Sequence, residues 1–167
     1  MTLRAVTPRL ATEADVPALV RLINRAYAPE KAFVDGDRTN EAMIRERLAR
    51  PSAVFLVVDD GAAPQELAAA VFVELRAERG YFGMLAVDPR RQGSGLGRLL
   101  VHAAAERCRA AGCQFLDIDV VNLRTELRAF YARFGFAPYA TAPFESAAPL
   151  KRHAFVVRLT KPLVPLW

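Results

Sequence analysis

The segment Gln92-Gly93-Ser94-Gly95-Leu96-Gly97 places three glycines ahead of an apolar stripe at helical spacing, Leu96, Leu99, Leu100, Ala103, Ala104 and Cys108. Glycine permits positive φ and removes the Cβ that would hold a ligand away from the backbone. The first N–H groups of a helix lack internal partners and carry the positive end of its dipole. A phosphate placed there receives several amide hydrogen bonds at once. Arg90, Arg91 and Arg98 add charge around the same spot. The pattern describes an anion site.

Several anion sites share that description. A Walker A loop needs a lysine after its last glycine, and Arg98 stands there instead. A dinucleotide fingerprint needs glycine at position 98. Asp117 lies at a suitable distance for a ribose contact, but Asp88-Pro89-Arg90-Arg91 makes the connection longer than that tight turn permits. The plainest alternative is three glycines that serve only a turn.

The elements that must position this loop follow from periodicity. A short strand ends at Arg9-Leu10-Ala11. Thr12 and Asp15 form a capping-box-like start, and Val16, Leu19, Val20, Ile23 and Tyr27 mark a first helix. Glu30 to Arg38 reads as a loop, and Met43, Ile44 and Leu48 as a short second helix stopped by Pro51. Strands are expected at Ala53–Val58, Leu67–Leu75 and Tyr81–Val87, with a turn at Ala77–Gly80. After the glycine loop come a helix closed by Gly112, a strand Gln114–Val121 and a helix carrying Leu127, Phe130, Tyr131 and Phe134. Two strands, near Phe136–Ala140 and Ala154–Leu159, finish the chain. Short turns make neighbouring strands antiparallel, and one helical crossover makes one parallel pair. The fold class is α+β, a mixed and mostly antiparallel sheet of about seven strands flanked by about four helices. One domain over residues 1–167 is expected for 167 residues.

Composition narrows the functions. Hydrophobic residues make up 53% and charged residues 25%, as in soluble globular proteins. No apolar run nears the roughly 20 residues of a membrane span, and Met1 to Arg9 lacks the pattern of a secretion signal, so a cytoplasmic location is the default expectation. The net charge of +5 is spread without a basic, aromatic-interleaved stripe. That argues against a nucleic-acid or membrane partner and suits a polyanionic small molecule. Cys108 and Cys113 have no metal-ligand company and read as buried thiols, and no metal is expected.

Taken together, the loop Gln92 to Gly97, the preceding Leu85-Ala86-Val87-Asp88-Pro89 and the stretch Phe130-Tyr131-Ala132-Arg133-Phe134-Gly135-Phe136 resemble the GNAT superfamily of acyl-CoA-dependent N-acetyltransferases. The resemblance implies a sheet that splays between the strands Tyr81–Val87 and Gln114–Val121. Acetyl-CoA would be the donor. Its pyrophosphate would lie on the amides of Gln92, Gly93, Ser94, Gly95, Leu96, Gly97 and Arg98, and its pantetheine arm along Leu85, Ala86 and Val87. An amine would attack the thioester directly, with no covalent enzyme intermediate. Tyr131 matches the family's acid for the leaving thiolate. Glu74 is the nearest carboxylate for the base, with His153 behind it. Asn122 is expected either to bond the pantetheine amide or to cap the helix of Tyr131.

The acceptor, by the same resemblance, is a small-molecule or peptide amine held by the loops Tyr27–Thr39 and Thr141–Arg152. The aspartates Asp35 and Asp37 there, beside aromatics, suit a cation. Dimers being frequent in related proteins, a homodimer is the assembly suggested. The alternative reading is a non-catalytic acyl-CoA-binding sensor on the same fold.

Overall fold

The computed structural model describes residues 6–146 and 148–163. Residues 1–5, on which part of the reading of the N-terminus rests, lie outside the described residues. In chain order the elements are β1 (Arg9–Leu10), α1 (Val16–Ala26), α2 (Glu41–Leu48), β2 (Ala53–Asp59), β3 (Leu67–Arg76), β4 (Arg79–Val87), α3 (Leu96–Ala110), β5 (Phe115–Val121), α4 (Thr125–Ala132), β6 (Ala137–Pro143) and β7 (Phe155–Pro162). The strands form one seven-stranded sheet in the order β1-β2-β3-β4-β5-β7-β6. Among the described residues only β4 and β5 pair in parallel; the remaining pairs are antiparallel. This is the expected mixed architecture.

The central strands are apolar on both faces because both faces are covered. In β2, Phe55 and Val57 pack with Leu19, Leu22 and Ile23 of α1 and Ile44 of α2. The alternate residues Leu56 and Val58 pack with Leu100, Ala104 and Cys108 of α3. Periodicity therefore sets the two layers: period 2 in the strand sends successive side chains to opposite helices. Ala68, Ala69 and Ala70 of β3 are all buried, small residues where helices approach the sheet from both sides. At the other edge, β6 carries Pro138 and Pro143 and a half-exposed Tyr139, as an edge strand tolerates.

The expected turn at Ala77–Gly80 is tighter in the structure. Ala77 takes the left-handed conformation, with φ of 55°, and β4 already begins at Arg79. Gly80 is thus a strand residue, and the reason is packing. A Cβ there would lie 2.9 Å from the Cβ of Cys108, so glycine lets α3 sit directly on β4. Both cysteines are buried free thiols, and burial pushes Cys108 up to about 12. Gly80→Ala should destabilise the protein by about 1–3 kcal/mol through overpacking, read from urea unfolding. An unchanged midpoint would contradict the contact between α3 and β4.

Candidate active site

Strands β4 and β5 pair only through Arg79↔Phe115, Gly80↔Leu116 and Tyr81↔Asp117. Beyond Tyr81, β4 continues with β3 as far as Val87↔Ala69, while β5 continues with β7 as far as Val121↔Val156. The two strands therefore part, and half of the peptide groups of β4 beyond Tyr81 face a gap without a ladder partner. A bulge marks the parting. The β3–β4 register shifts between Ala70 and Phe72, and Met84 has φ of 50°. Phe82 packs on the α3 side, yet Met84, two residues on, packs with α1 on the opposite side. The extra residue flips the alternation, so Leu85 and Val87 face the α3 and α4 layer.

The turn after β4 is pinned by two carboxylates. Asp88 is buried and accepts from the Arg90 amide at 3.0 Å, and the Arg90 guanidinium holds its carboxyl down at about 2. Asp60 is bound by Arg91. Arg90 and Arg91 are thus anchored to protein, whereas Arg98 makes no ion pair among the described residues. The loop that follows needs glycine at two points. Gly93 and Gly95 have φ of 83° and 87°, and a Cβ at either would meet nothing within 4 Å. The constraint there is backbone conformation, with open space in front of it.

The N–H groups of Gly93, Gly95, Leu96, Gly97 and Arg98 donate to no acceptor among the described residues. Ser94 differs from its neighbours. Its amide bonds Arg91 O at 3.2 Å, and its hydroxyl bonds the same oxygen, so its donors brace the loop. Gln92 and Gly93 line a cavity of about 350 Å³ together with Leu85, Val87, Phe130 and Tyr131. Ala86 does not line it; its side chain is buried on the α1 side, and only its backbone is at the gap.

A second cavity of about 340 Å³ occupies the parting itself, between Tyr81–Leu85 of β4 and Ile118–Val121 of β5. Tyr27, Leu85, Leu127 and Tyr131 line both cavities, so the two adjoin at the Tyr131 ring. Tyr131 is wedged edge-on against Phe82, Phe130 and Phe136, with centroids 5.8, 5.0 and 5.9 Å away. That apolar cage, followed by the nearby Tyr27 and Tyr81, pushes its phenol far above the ordinary range. Tyr131 therefore stays protonated at any physiological pH. Burial likewise raises Tyr27, to about 12.

Glu30 was missed among the loop residues and belongs to this cavity. It is buried, 3.1 Å from Arg124, and burial raises its carboxyl despite Arg38 and Arg124. The signal was weak because Glu30 sits in a 3-10 turn, Ala28–Ala32, with ordinary loop composition. Asp119 also lines the cavity, paired with Arg158 at 3.3 Å and raised by burial.

The structure does not bring Glu74 to either cavity. It is clamped by Arg50 at 3.0 Å and Arg76 at 2.7 Å; burial pulls its pKa up, but the two guanidinium groups outweigh that and hold it low. A carboxylate so placed is a poor proton acceptor. Asn122 does not cap α4, whose N-cap position is Arg124. Its side-chain oxygen accepts from the Phe155 amide at 2.8 Å and ties the end of β5 to β7. His153 is exposed and stacks beside Phe155, lining neither cavity. Asp35 is exposed too, and Asp37 is paired with Lys31 at 3.2 Å. Asp117, weighed as a ribose ligand, is bound by Arg79 at 2.7 Å.

A sheet parted beside a helix start with unpaired amides leaves a strand edge long enough for an extended ligand and, at the loop, donors that suit a phosphate. The family model described as Acetyltransferase (GNAT) family matches residues 17–136. The chain belongs to the GNAT acetyltransferase family, whose members use acetyl-CoA as co-substrate. Mycothiol acetyltransferase of Beutenbergia cavernae is 35% identical over 134 residues, covering 77% of this chain and 43% of that protein. The mycothiol acetyltransferase of Saccharopolyspora erythraea is 32% identical over 135 residues, covering 78% and 43%. The chain thus spans less than half the length of these curated relatives. Among solved structures, the ribosomal-protein-S18-alanine N-acetyltransferase of Escherichia coli superposes with a TM-score of 0.78 at 17% identity, covering 98% of this chain and 97% of that one. Ard1 of Thermoplasma volcanium gives 0.76 at 18%, covering 96% and 99%. At such identities these two show the fold alone.

Gly95→Ala should cost about 1–2 kcal/mol of stability, the penalty for a left-handed alanine. It should also weaken coenzyme A binding at least several-fold, measured by calorimetry. Unchanged affinity would mean that the loop amides do not hold the ligand.

Proposed function

We propose that the chain acts as one catalytic domain that transfers an acetyl group from acetyl-CoA to an amine by direct attack on the thioester. The observation that carries this reading is that two cavities meet at Tyr131: one is lined by Gln92 and Gly93 of the glycine loop, the other by Phe144 and Glu145 of the loop after β6. Bound acetyl-CoA would supply an acyl group already activated as a thioester. The free amides of Gly93, Gly95, Leu96, Gly97 and Arg98 would hold its pyrophosphate, with Arg98 adding charge. The unpaired backbone of β4 at Leu85–Val87 would take its arm in the manner of an added strand, and an N–H there would polarise the carbonyl.

Two protons must then move. Glu30 accepts one from the amine, its buried carboxyl being a stronger base than an exposed one. Tyr131 gives one to the leaving thiolate. The apolar cage disfavours a thiolate beside it; as the C–S bond breaks the phenolic proton goes to sulfur and the charge passes to the phenolate oxygen, which regains a proton from the acylated nitrogen or from solvent. Similarity to mycothiol acetyltransferases supports a small-molecule amine as acceptor.

Tyr131→Phe should lower kcat roughly ten-fold or more, general acid catalysis being worth about 10²–10⁴, with coenzyme A affinity kept. An unchanged kcat would remove Tyr131 from the reaction. Glu30 must be deprotonated to act, so kcat at saturating acceptor should rise with pH through a limb above the usual carboxylate value of about 4.3. Glu30→Gln should abolish that limb, with Arg124 still held by Glu126 at 2.6 Å. A limb that persists in the variant assigns the base elsewhere, Asp119 being the next group in the cavity.

A further inference from the structure

The cleft adjoins a third cavity of about 420 Å³, between the Tyr27–Asn40 loop, α2 and the residues Phe144, Glu145, Ser146 and Ala148. Two arginines face it. Arg38 lines both this cavity and the parting that holds Glu30 and Tyr131; Arg47 lines it from α2. Both are half-buried, and neither has a carboxylate within ion-pair distance among the described residues. Arg47 reaches only the Met43 carbonyl of its own helix, at 3.4 Å.

That separates them from half-buried arginines elsewhere. Arg79 holds Asp117 at 2.7 Å, Arg50 holds Glu74 at 3.0 Å, and Arg124 holds Glu30 at 3.1 Å. A guanidinium keeps its charge at every physiological pH, so partial burial without a direct ion-pair partner carries a desolvation cost. Aromatic faces hold the two in place instead. Arg38 lies over Tyr27 at 5.3 Å and Arg47 over Phe72 at 5.8 Å. Stacking restrains the guanidinium plane and leaves its N–H edge available for a planar or tetrahedral oxyanion. Burial, followed by the charge of Arg38, lowers Arg47, as expected of a cation lacking its partner.

The carboxylates of the same cavity are mostly committed. Asp37 is bound to Lys31 at 3.2 Å and Glu30 to Arg124, which leaves Glu145 exposed on the opposite loop. We propose that Arg38 and Arg47 form an oxyanion subsite of the acceptor cavity, so that the acceptor is an amine that also carries a carboxylate or a phosphate. This rests on the acetyl-transfer reading. Because Arg38 borders both cavities, the amine would lie at the Glu30 and Tyr131 end and the anion at the Arg38 and Arg47 end.

The test has two arms. In the first, thiol release from acetyl-CoA is followed with paired acceptors: a panel of L-amino acids against their carboxamides, and ethanolamine phosphate against ethanolamine. The anionic member of at least one pair should show kcat/KM ten-fold or more above its neutral partner, and which pair does so separates carboxylate from phosphate. Arg38→Gln and Arg47→Gln should raise KM for the anionic compound by ten-fold or more relative to its neutral partner, so that the preference within the pair collapses. Equal kcat/KM within every turned-over pair overturns the proposal. In the second arm, arginine Nε–H resonances of the coenzyme A-saturated protein are titrated with the same compounds. Saturable shifts at Arg38 and Arg47 with anionic compounds alone support the subsite even if none is acetylated, in which case only the catalytic reading fails. No saturable shift at either arginine with any anion overturns the subsite, whatever coenzyme A binding shows.

Discussion

The site depends on one constraint: β4 keeps β3 as a partner along its length but cannot keep β5. The bulge at Met84, with φ of 50°, turns the strand after Phe82, and the parallel ladder stops at Tyr81↔Asp117. A non-glycine residue in that region carries a conformational cost of about 1–2 kcal/mol, which the surrounding sheet must offset. The consequence is an interior sheet edge, with amide groups that a folded protein normally satisfies. The two cavities that meet at the buried Tyr131 both border that opening.

The ion pair Glu30–Arg124 is the second coupling in the site. Arg124 sits at the N-cap position of α4, the helix that carries Tyr131, while Glu30 belongs to the loop that walls the acceptor side. The same carboxylate therefore joins the helix of Tyr131 to the loop Tyr27–Asn40. Arg124 also keeps the exposed Glu126 within 2.6 Å, so its charge retains a partner if Glu30 is removed.

Much of the fold was legible in the residues. The order of strands and helices, the single parallel crossover and the helix after Gly95 follow from periodicity and from glycines at the ends of elements. Boundaries moved where packing outweighed local signals, as at Gly80, which looks like a turn residue and serves as a strand residue under Cys108. The site was half legible. The glycine loop and Tyr131 stand out because backbone conformation and aromatic spacing leave marks in sequence. Glu74 looked like a base from its strand position alone, and only the three-dimensional neighbours Arg50 and Arg76 show it engaged. Glu30, Arg38 and Arg47 are ordinary surface residue types whose burial depends on how the loop Tyr27–Asn40 folds back over the cleft. No local pattern encodes that. The bulge at Met84 was equally hidden inside an unbroken apolar run.

Amide hydrogen exchange during titration with acetyl-CoA tests the central claim most directly. The account expects slowed exchange at Gly93, Gly95, Leu96, Gly97 and Arg98, and at amides of β4 between Phe82 and Val87, with Ser94 little changed because its donor is already engaged. Saturating acetyl-CoA that leaves the loop and the parted edge of β4 exchanging as before would contradict it.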